Sequence, residues 1–478
     1  MRIVWRYLGY LFIISAFFRI IPIVVGLAYG ENILEFGVNM GISMVVGGVL
    51  AYFFRANGEE DRMNLGGGFI LATLSFLLIP VVGAISFLKS FDYNFLNAYF
   101  ESVSGFSTTG FTLYESLDVL PKSLLIWRAL SQWLGGIGIV VFFLFIISTL
   151  FLGGSLNATK AETVAKTSIA LYKSQGFEQN FPGGLGTIVR AVLGVYCGYT
   201  FLGFLLLMFF GMGALEALGM SFTSISTGGF TMSDVFFTNS AQLAVLSILM
   251  IMGSISFFVH FKLLRGLILE FLRSFEKNVF FVFLFMAVCL GYLVYRDLGV
   301  VIFQIVSSFT TTGYTLIDNI SLLPQLFLLM IFVGMLVGGG VAGTSGGLKV
   351  SRVYYLMRSV PWHLRKLILP SSAVVPFKVH GKILEDYELN NISIFAAMYV
   401  MLIFVGVVIF MVFGYSFLDS AFQVVSALGT VGLQNIDLNG LNAALKLLLI
   451  LLMIFGRLEI FPFLILLKSI WKARSQSV

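Results

Sequence analysis

The sequence predicts an all-α polytopic membrane protein. Two leading transmembrane helices precede four pseudo-symmetric repeats, each a helix, a re-entrant pore loop and a second helix, set around one central pore. Three observations lead there. Of the 478 residues, 59% are hydrophobic and 11% charged, against roughly 45 to 50% and 25% in an average soluble domain, which excludes a soluble globular enzyme. The apolar residues come in runs of about 20, long enough to cross roughly 30 Å of hydrocarbon. Between such runs a short cluster of hydroxyl residues and glycine recurs four times, and internal repetition of this kind defines the architecture.

The leading helices are expected at about 7 to 29 and 36 to 54, inside a first segment 1–66. Arg2 and Arg6 before an apolar run, with Ala28-Tyr29-Gly30 after it, could mark a cleaved signal peptide. The run exceeds the usual h-region of roughly 7 to 15 residues and contains Arg19 and Pro22, so a retained first helix fits better. The repeats follow at 67–154, 155–275, 276–360 and 361–478. Their clusters read FSTTGFT (106–112), ISTGGFT (225–231), FTTTGYT (309–315) and LGTVGLQ (428–434), which superpose without a gap on Gly110, Gly229, Gly313 and Gly432. Six residues before each glycine stands a hydroxyl, at Ser104, Thr223, Ser307 and Ser426; five after it stands an acid, at Glu115, Asp234, Asp318 and Asp437. The approach segments, such as 97–106 and 421–428, are only ~12 to 15 Å long at ~1.5 Å per residue and cannot span. Non-helical backbone at membrane depth is tolerated only when buried in protein or lining a water-filled path, so four such turns imply one shared path. Ten membrane-spanning helices and four re-entrant half-helices result.

Basic residues track topology. Arg2 and Arg6; Arg55 and Arg62; Lys160, Lys166, Lys173 and Arg190; Lys262, Arg265, Arg273 and Lys277; Lys349 to Lys382; and Lys468 to Arg474 alternate with connections rich in Asp and Glu. Lys and Arg mark the cytoplasmic side, which places both termini inside and gives successive repeats the same orientation. The net charge of +6 therefore speaks for a lipid bilayer, not for nucleic acid.

A T-x-G sequence in an extended loop can aim successive carbonyls at an axis, and four such loops make rings of oxygens able to replace the hydration shell of a monovalent cation. The candidate ligands are Thr108, Thr109 and Gly110; Thr227, Gly228 and Gly229; Thr311, Thr312 and Gly313; and Thr430, Val431 and Gly432. Each half-helix would turn its partially negative C-terminus towards the axis, which also favours a cation. The four acids either concentrate cations at the outer mouth or are solvated loop ends. The hydroxyls either hold the loop backbone or bond back to a helical carbonyl.

Other chemistry finds no constellation. Cys197 and Cys289 are far apart in apolar runs, and His260, His363 and His380 lack a ligand-spaced set. No H-E-x-x-H, G-x-S-x-G or spaced aspartate pair occurs, which speaks against an intramembrane enzyme, and no organic cofactor is expected. Gly338, Gly339, Gly340, Gly343, Gly346 and Gly347, with Ala342, Thr344 and Ser345, interrupt an apolar run. A straight helix there is disfavoured by roughly 1 kcal/mol per glycine, although close helix packing through small residues also uses such a pattern. GTSGGLK lacks the spacing of a phosphate-binding loop. Arg457 lies in the last apolar run, where a charge must face a cavity or a partner, Glu459 or a carbonyl among them.

These motifs, with WRALSQWLGGIGIVV (127–141), GGGVAGTSGGLKV (338–350) and GRLEIFPF (456–463), resemble the TrkH/TrkG branch of the Trk/Ktr/HKT superfamily of potassium transport proteins over essentially the whole chain. The resemblance implies K+ as the transported ion, a gate formed by residues 338 to 347 below the filter, and a pore-facing Arg457. It also implies a homodimer, a cytosolic TrkA-type nucleotide-sensing regulatory subunit, and a place in the cell's inner or plasma membrane. In related plant proteins serine at the first filter glycine goes with sodium transport; Gly110 here implies potassium. LGTVGLQ departs from the family pattern at Val431 and Leu433, so the symmetry is approximate. A symporter moving K+ with H+ or Na+ is the alternative, with Glu101 and Glu216 as its candidate relays.

Overall fold

The computed structural model describes residues 2–55, 63, 65–152, 185–234, 239–317, 320–370, 375–380 and 382–475. The basic positions Arg62, Lys160, Lys166 and Lys173 and the acid Asp318 lie outside them.

The first span runs Arg2–Phe18 and resumes at Ile20–Ala28 after a break at Arg19. Pro22 falls in the first turn after that break, where its missing N–H costs no intrahelical bond. The second span, Leu34–Phe53, lies against the first. Glycine sets their separation, because a Cβ on Gly9 would sit 2.7 Å from the Gly47 carbonyl oxygen and one on Gly47 would sit 2.7 Å from that of Gly9. Small residues let helix backbones approach in this way where lipid offers no hydrophobic drive for association.

Each repeat contains the expected half-helix: Phe95–Phe106, Ala214–Ile225, Leu298–Phe309 and Phe417–Leu428. All have 12 residues, about 18 Å at ~1.5 Å per residue, too short to cross. Side-chain oxygens of Asn94, Asp297 and Ser416 cap three of the N-termini, accepting from Asn97, Gly299 and Asp419 backbone N–H groups. The second starts at Gly213 without a side-chain cap.

The second helices depart from the expectation of uninterrupted spans. Only Lys122–Leu152 is continuous. Ser240–Ser254 and Phe257–Leu263 meet at 105°, as do Ala443–Leu458 and Phe461–Ser469, while Gln325–Val337 stops at Gly338 with φ 69° and helix resumes at Val350–Ile368. Among the described residues seven helices are long and apolar enough to cross a membrane, or nine if each bent pair is one span; the interrupted third-repeat helix occupies the tenth place. The last break has a local cause, since Glu459 and Ile460 adopt φ 59° and 64°, left-handed values that end a helix. An antiparallel hairpin, Phe377–Val379 with Lys382–Leu384, adds two short strands that the all-α reading did not include.

The repeats form a closed cycle. Lys122–Leu152 packs on Ala214–Ile225, Ser240–Ser254 on Leu298–Phe309, Gln325–Val337 on Phe417–Leu428, and Ala443–Leu458 on Phe95–Phe106. Every second helix thus supports the half-helix of the next repeat, and the fourth supports the first. Replacing Gly47 by Leu should force the two leading helices apart and cost about 1 to 3 kcal/mol, the usual range for overpacking; thermal unfolding in detergent should show a lower midpoint than the parent.

Candidate functional site

The four half-helices end alike. After Ser107, Ser226, Thr310 and Gly429 in helical conformation, the chain enters the left-handed region at Thr108, Thr227, Thr311 and Thr430, with φ 52°, 51°, 56° and 50°. The next N–H groups, of Thr109, Gly228, Thr312 and Val431, reach back to the carbonyls of Ser104, Thr223, Ser307 and Ser426 at 2.8 to 3.0 Å. This closing turn normally takes glycine. A β-branched residue there is an outlier, and each costs on the order of 1 to 3 kcal/mol, so surrounding contacts must hold it.

Those contacts form a ring. A Cβ on Gly110 would lie 2.3 Å from the Gly228 oxygen, one on Gly229 2.0 Å from that of Thr312, one on Gly313 1.8 Å from that of Val431, and one on Gly432 2.1 Å from that of Thr109. The sequence of contacts runs through repeats one, two, three and four and back to one. All four glycines also have φ between 83° and 90°, a second reason why no side chain fits. The four sets of candidate ligands therefore meet around one axis.

The hydroxyl positions realise both readings. Ser104 and Ser307 donate to the carbonyls of Phe111 and Tyr314 at 2.6 and 2.7 Å, tying the descending half-helix to the ascending loop. Thr223 instead bonds to the Gly219 carbonyl and the Tyr314 hydroxyl. Ser426 Oγ is buried without a partner among the described residues.

Behind the first loop lies a fully buried ion pair. Glu101 Oε1 accepts from Arg128 Nε at 2.9 Å and from Thr112 Oγ1 at 3.1 Å, and its Oε2 accepts from Leu113 N–H at 3.1 Å. Arg128 also donates to the Thr231 carbonyl at 3.4 Å and stacks over Phe230 at 4.1 Å. One pair thus anchors the outer limbs of loops one and two. Glu101, weighed as a proton relay, has both oxygens engaged. The sequence carries a signal for Arg128 as well, since a charge in the apolar run 122–152 needs a partner or a cavity just as Arg457 does.

Residues 338 to 349 form an irregular segment directly against the ends of the loops. Thr344 Oγ1 donates to the Ile225 carbonyl at 2.9 Å, Gly346 N–H donates to Thr311 Oγ1 at 2.7 Å, and a Cβ on Gly346 would lie 2.2 Å from the Gly429 oxygen. Gly340 and Thr344 N–H groups bond to the carbonyls of Ser254 and Gly253, so the break in the second-repeat helix receives this segment. Gly338 and Gly347 pack on each other's backbone, and Gly339 and Gly343 pack on Ser254. Arg457 donates to the Thr344 carbonyl at 2.5 Å and the Gly135 carbonyl at 3.1 Å, while Glu459 pairs with Arg352 at 2.5 Å. Of the partners weighed for Arg457, carbonyls hold it. A narrow cavity beside it is lined by Gly343, Ser345 and Gly456. Glu276 and Lys349 complete the set, Glu276 accepting from Val341 N–H at 2.7 Å and Lys349 donating to the Ser345 carbonyl.

The acids do not share one environment. Glu115, Asp234 and Asp437 are exposed; Asp437 accepts from Asn439 N–H at 2.9 Å. Asp234 clamps the outer loop of repeat one, accepting from Ser116 Oγ at 2.5 Å and from Leu117 N–H at 2.8 Å. Partial desolvation raises its pKa, but the hydrogen bonds from Ser116, Leu117 and Asp118 outweigh that and hold it below the ordinary 3.8.

The profile of the TrkH family, described as a cation transport protein, matches residues 30–294 and 278–475. The chain belongs to the TrkH family. An uncharacterised cation transporter of Methanocaldococcus jannaschii is 31% identical over 475 residues, covering 97% of this chain and 94% of that relative. The Trk system potassium uptake protein TrkH of Escherichia coli K12 is 28% identical over 498 residues, covering 97% of this chain and 98% of its own. The crystal structure of the potassium transporter TrkH from Vibrio parahaemolyticus superposes with a TM-score of 0.84 over 98% of both chains at 24% identity, a likeness of fold. This TrkH-family chain is a multi-pass membrane protein.

Two outcomes follow. Arg128→Met strands the buried Glu101 carboxylate and should cost about 3 to 5 kcal/mol, read as a large drop in melting temperature that Glu101→Gln in the same chain partly reverses. The contribution of Asp234 is present above its ordinary pKa and is lost as pH falls through its depressed folded value; an acid titration of thermal stability should lose that step in Asp234→Asn.

Proposed function

We propose that this TrkH-family protein takes up K+ through a channel-like pore whose selectivity filter is the ring of four T-x-G loops. The observation that carries the proposal is the cyclic contact of Gly110, Gly229, Gly313 and Gly432 with the carbonyls of Gly228, Thr312, Val431 and Thr109. Loops packed this closely can bring their backbone oxygens around one axis, where they repel one another unless a cation lies between them, and rings of carbonyls suit an ion that sheds its water. The E. coli relative is a potassium uptake protein by name, which supports K+ as the cargo. No bond is made or broken, and the membrane potential supplies about 2.3 kcal/mol per charge per 100 mV.

The segment 338–347 acts as the gate beneath the filter, with Arg457 of the fourth repeat fastening it and the first-repeat Gly135 carbonyl together. A cation leaving the filter meets the Thr344 and Gly346 backbone first, and Arg457 adds a positive barrier. Opening requires Arg457 to release the Thr344 carbonyl. The same reading places the protein in the cell membrane with both termini inside, as a homodimer controlled by a TrkA-type cytosolic subunit. Glu115, Asp234, Asp318 and Asp437 raise the cation concentration at the outer mouth in a salt-dependent way. The engaged oxygens of Glu101 favour this channel-like reading over a proton-coupled symporter.

The test is uptake of rubidium-86 by proteoliposomes under an outward potassium gradient, with sodium as competitor and the regulatory subunit supplied. The parent should take up rubidium against excess sodium. Gly313→Ser, whose Cβ lands 1.8 Å from the Val431 oxygen, should lower the rubidium to sodium ratio about tenfold, the change for ~1.4 kcal/mol. An unchanged ratio would mean that the loops are not the filter.

A further inference from the structure

Aligned on their filter glycines, the four repeats differ at two positions that touch. In three repeats a glycine of the second helix packs on the end of a half-helix. A Cβ on Gly135, Gly253 or Gly456 would lie 1.9, 2.3 or 2.0 Å from the carbonyl oxygen of Phe106, Ile225 or Leu428, and in the third repeat Gly338 has the same register, 25 residues after Gly313 as Gly135 is after Gly110, with Gly346 and Gly347 as its neighbours. Three residues before these glycines stand Gln132, Met250, Met335 and Met453, all fully buried. Only the first repeat has a polar residue there. The middle position of the four filter triplets reads Thr109, Gly228, Thr312 and Val431, and only the second has no side chain.

Because each second helix packs on the following half-helix, Gln132 meets the loop that carries Gly228. A Cβ on Gly228 would lie 2.3 Å from Gln132 Oε1 and 2.4 Å from its Cδ, so the amide occupies the room that a side chain at 228 would take. Gln132 Nε2 donates to the Gly228 carbonyl at 2.6 Å, and Oε1 accepts from Phe230 N–H at 3.1 Å. Both ends of the amide are used, and they fix residues 228 to 230 as a unit. In loops one and three the work is done locally: Thr109 and Thr312 pair their hydroxyls with Ser107 and Thr310 at 2.7 and 2.8 Å. Gly228 cannot, and Gln132 takes over.

The carbonyl that Gln132 engages is the one that faces Gly110 in the ring. A donor on one of four equivalent oxygens fixes its position and withdraws part of its negative charge. Discrimination among monovalent cations depends on those two quantities, the size of the cage and the field strength of its dipoles. We propose that Gln132 is a positioning residue that sets cation selectivity through the Gly228 carbonyl. The proposal rests on the reading of the four loops as the filter.

The test uses the full-length protein in the rubidium and sodium assay, with Gln132→Met, Gly228→Thr and the double variant. Gln132→Met keeps the volume and reproduces the residue of the other three repeats. It should lower the rubidium to sodium ratio about fivefold, the factor carried by one neutral hydrogen bond, in protein that stays monodisperse. Gly228→Thr alone collides with Gln132 and should lower uptake and ratio together. The double variant gives repeat two the Met and Thr pair present at Met250 and Thr312, and should return the ratio to within about twofold of the parent. A merely structural role would scale the uptake of both ions equally and leave the ratio alone. A parental ratio in folded Gln132→Met, with Gly313→Ser still altering it, overturns the role of Gln132 only. A ratio that neither change moves removes the filter reading itself. If Gln132→Met does not fold, the double variant decides by comparison with Gly228→Thr alone: a ratio shifted in the single variant and restored in the double supports the proposal, and a ratio parental in both or shifted alike in both overturns it.

Discussion

Backbone that is neither helix nor sheet must find partners when it lies inside a membrane, and the rest of this structure is arranged around that requirement. Four loops meet it together: each turns its N–H groups back onto the carbonyls of its own half-helix, and each packs a glycine closely against the next loop's backbone around a closed cycle. No loop could do this alone, because an isolated turn at that depth would expose several unsatisfied polar groups to hydrocarbon. The strained threonines, the capping turns and the second helices that buttress the next repeat all keep this cycle in place.

Inside that frame the repeats are unequal. Repeat one keeps a straight second helix and the buried Arg128 with Glu101. Repeats two, three and four break theirs at Ser254, Gly338 and Glu459, and the breaks converge beneath the loops. Thr344, Gly346 and Arg457 gather there. Symmetry therefore governs the outer half of the path, and its loss governs the inner half. Beneath the loops side-chain cations hold carbonyls, Arg457 those of Thr344 and Gly135 and Lys349 that of Ser345.

Much of this was legible in the sequence because it follows from period and spacing. The two leading helices, the four short half-helices, the glycines in register and the interrupted third-repeat run all come from counting apolar residues and aligning four clusters. What remained hidden depends on residues far apart in the chain. Nothing near Arg128 in sequence announces Glu101, and nothing near Gln132 announces Gly228, since both pairings arise only when one repeat packs on another. The 105° bends were hidden for a different reason: apolar residues continue through them, so composition carries no signal, and the left-handed Glu459 and Ile460 are residue types that seldom adopt that conformation. The Asp234 clamp was likewise invisible, because its partners belong to the outer loop of a different repeat.

The cycle closes between Gly432 and Thr109, residues from opposite ends of the polypeptide. During synthesis the first three repeats emerge with one flank of loop one uncovered and the seat of Ala443–Leu458 on Phe95–Phe106 still empty. Contacts of such long sequence separation form late, so the nascent chain holds an open seam with unpartnered backbone facing the lipid or a helper protein until the fourth repeat arrives. The quality of the whole ring is then decided by its final segment, and a chain cut short before Gly432 would carry three well-formed loops and no closed path.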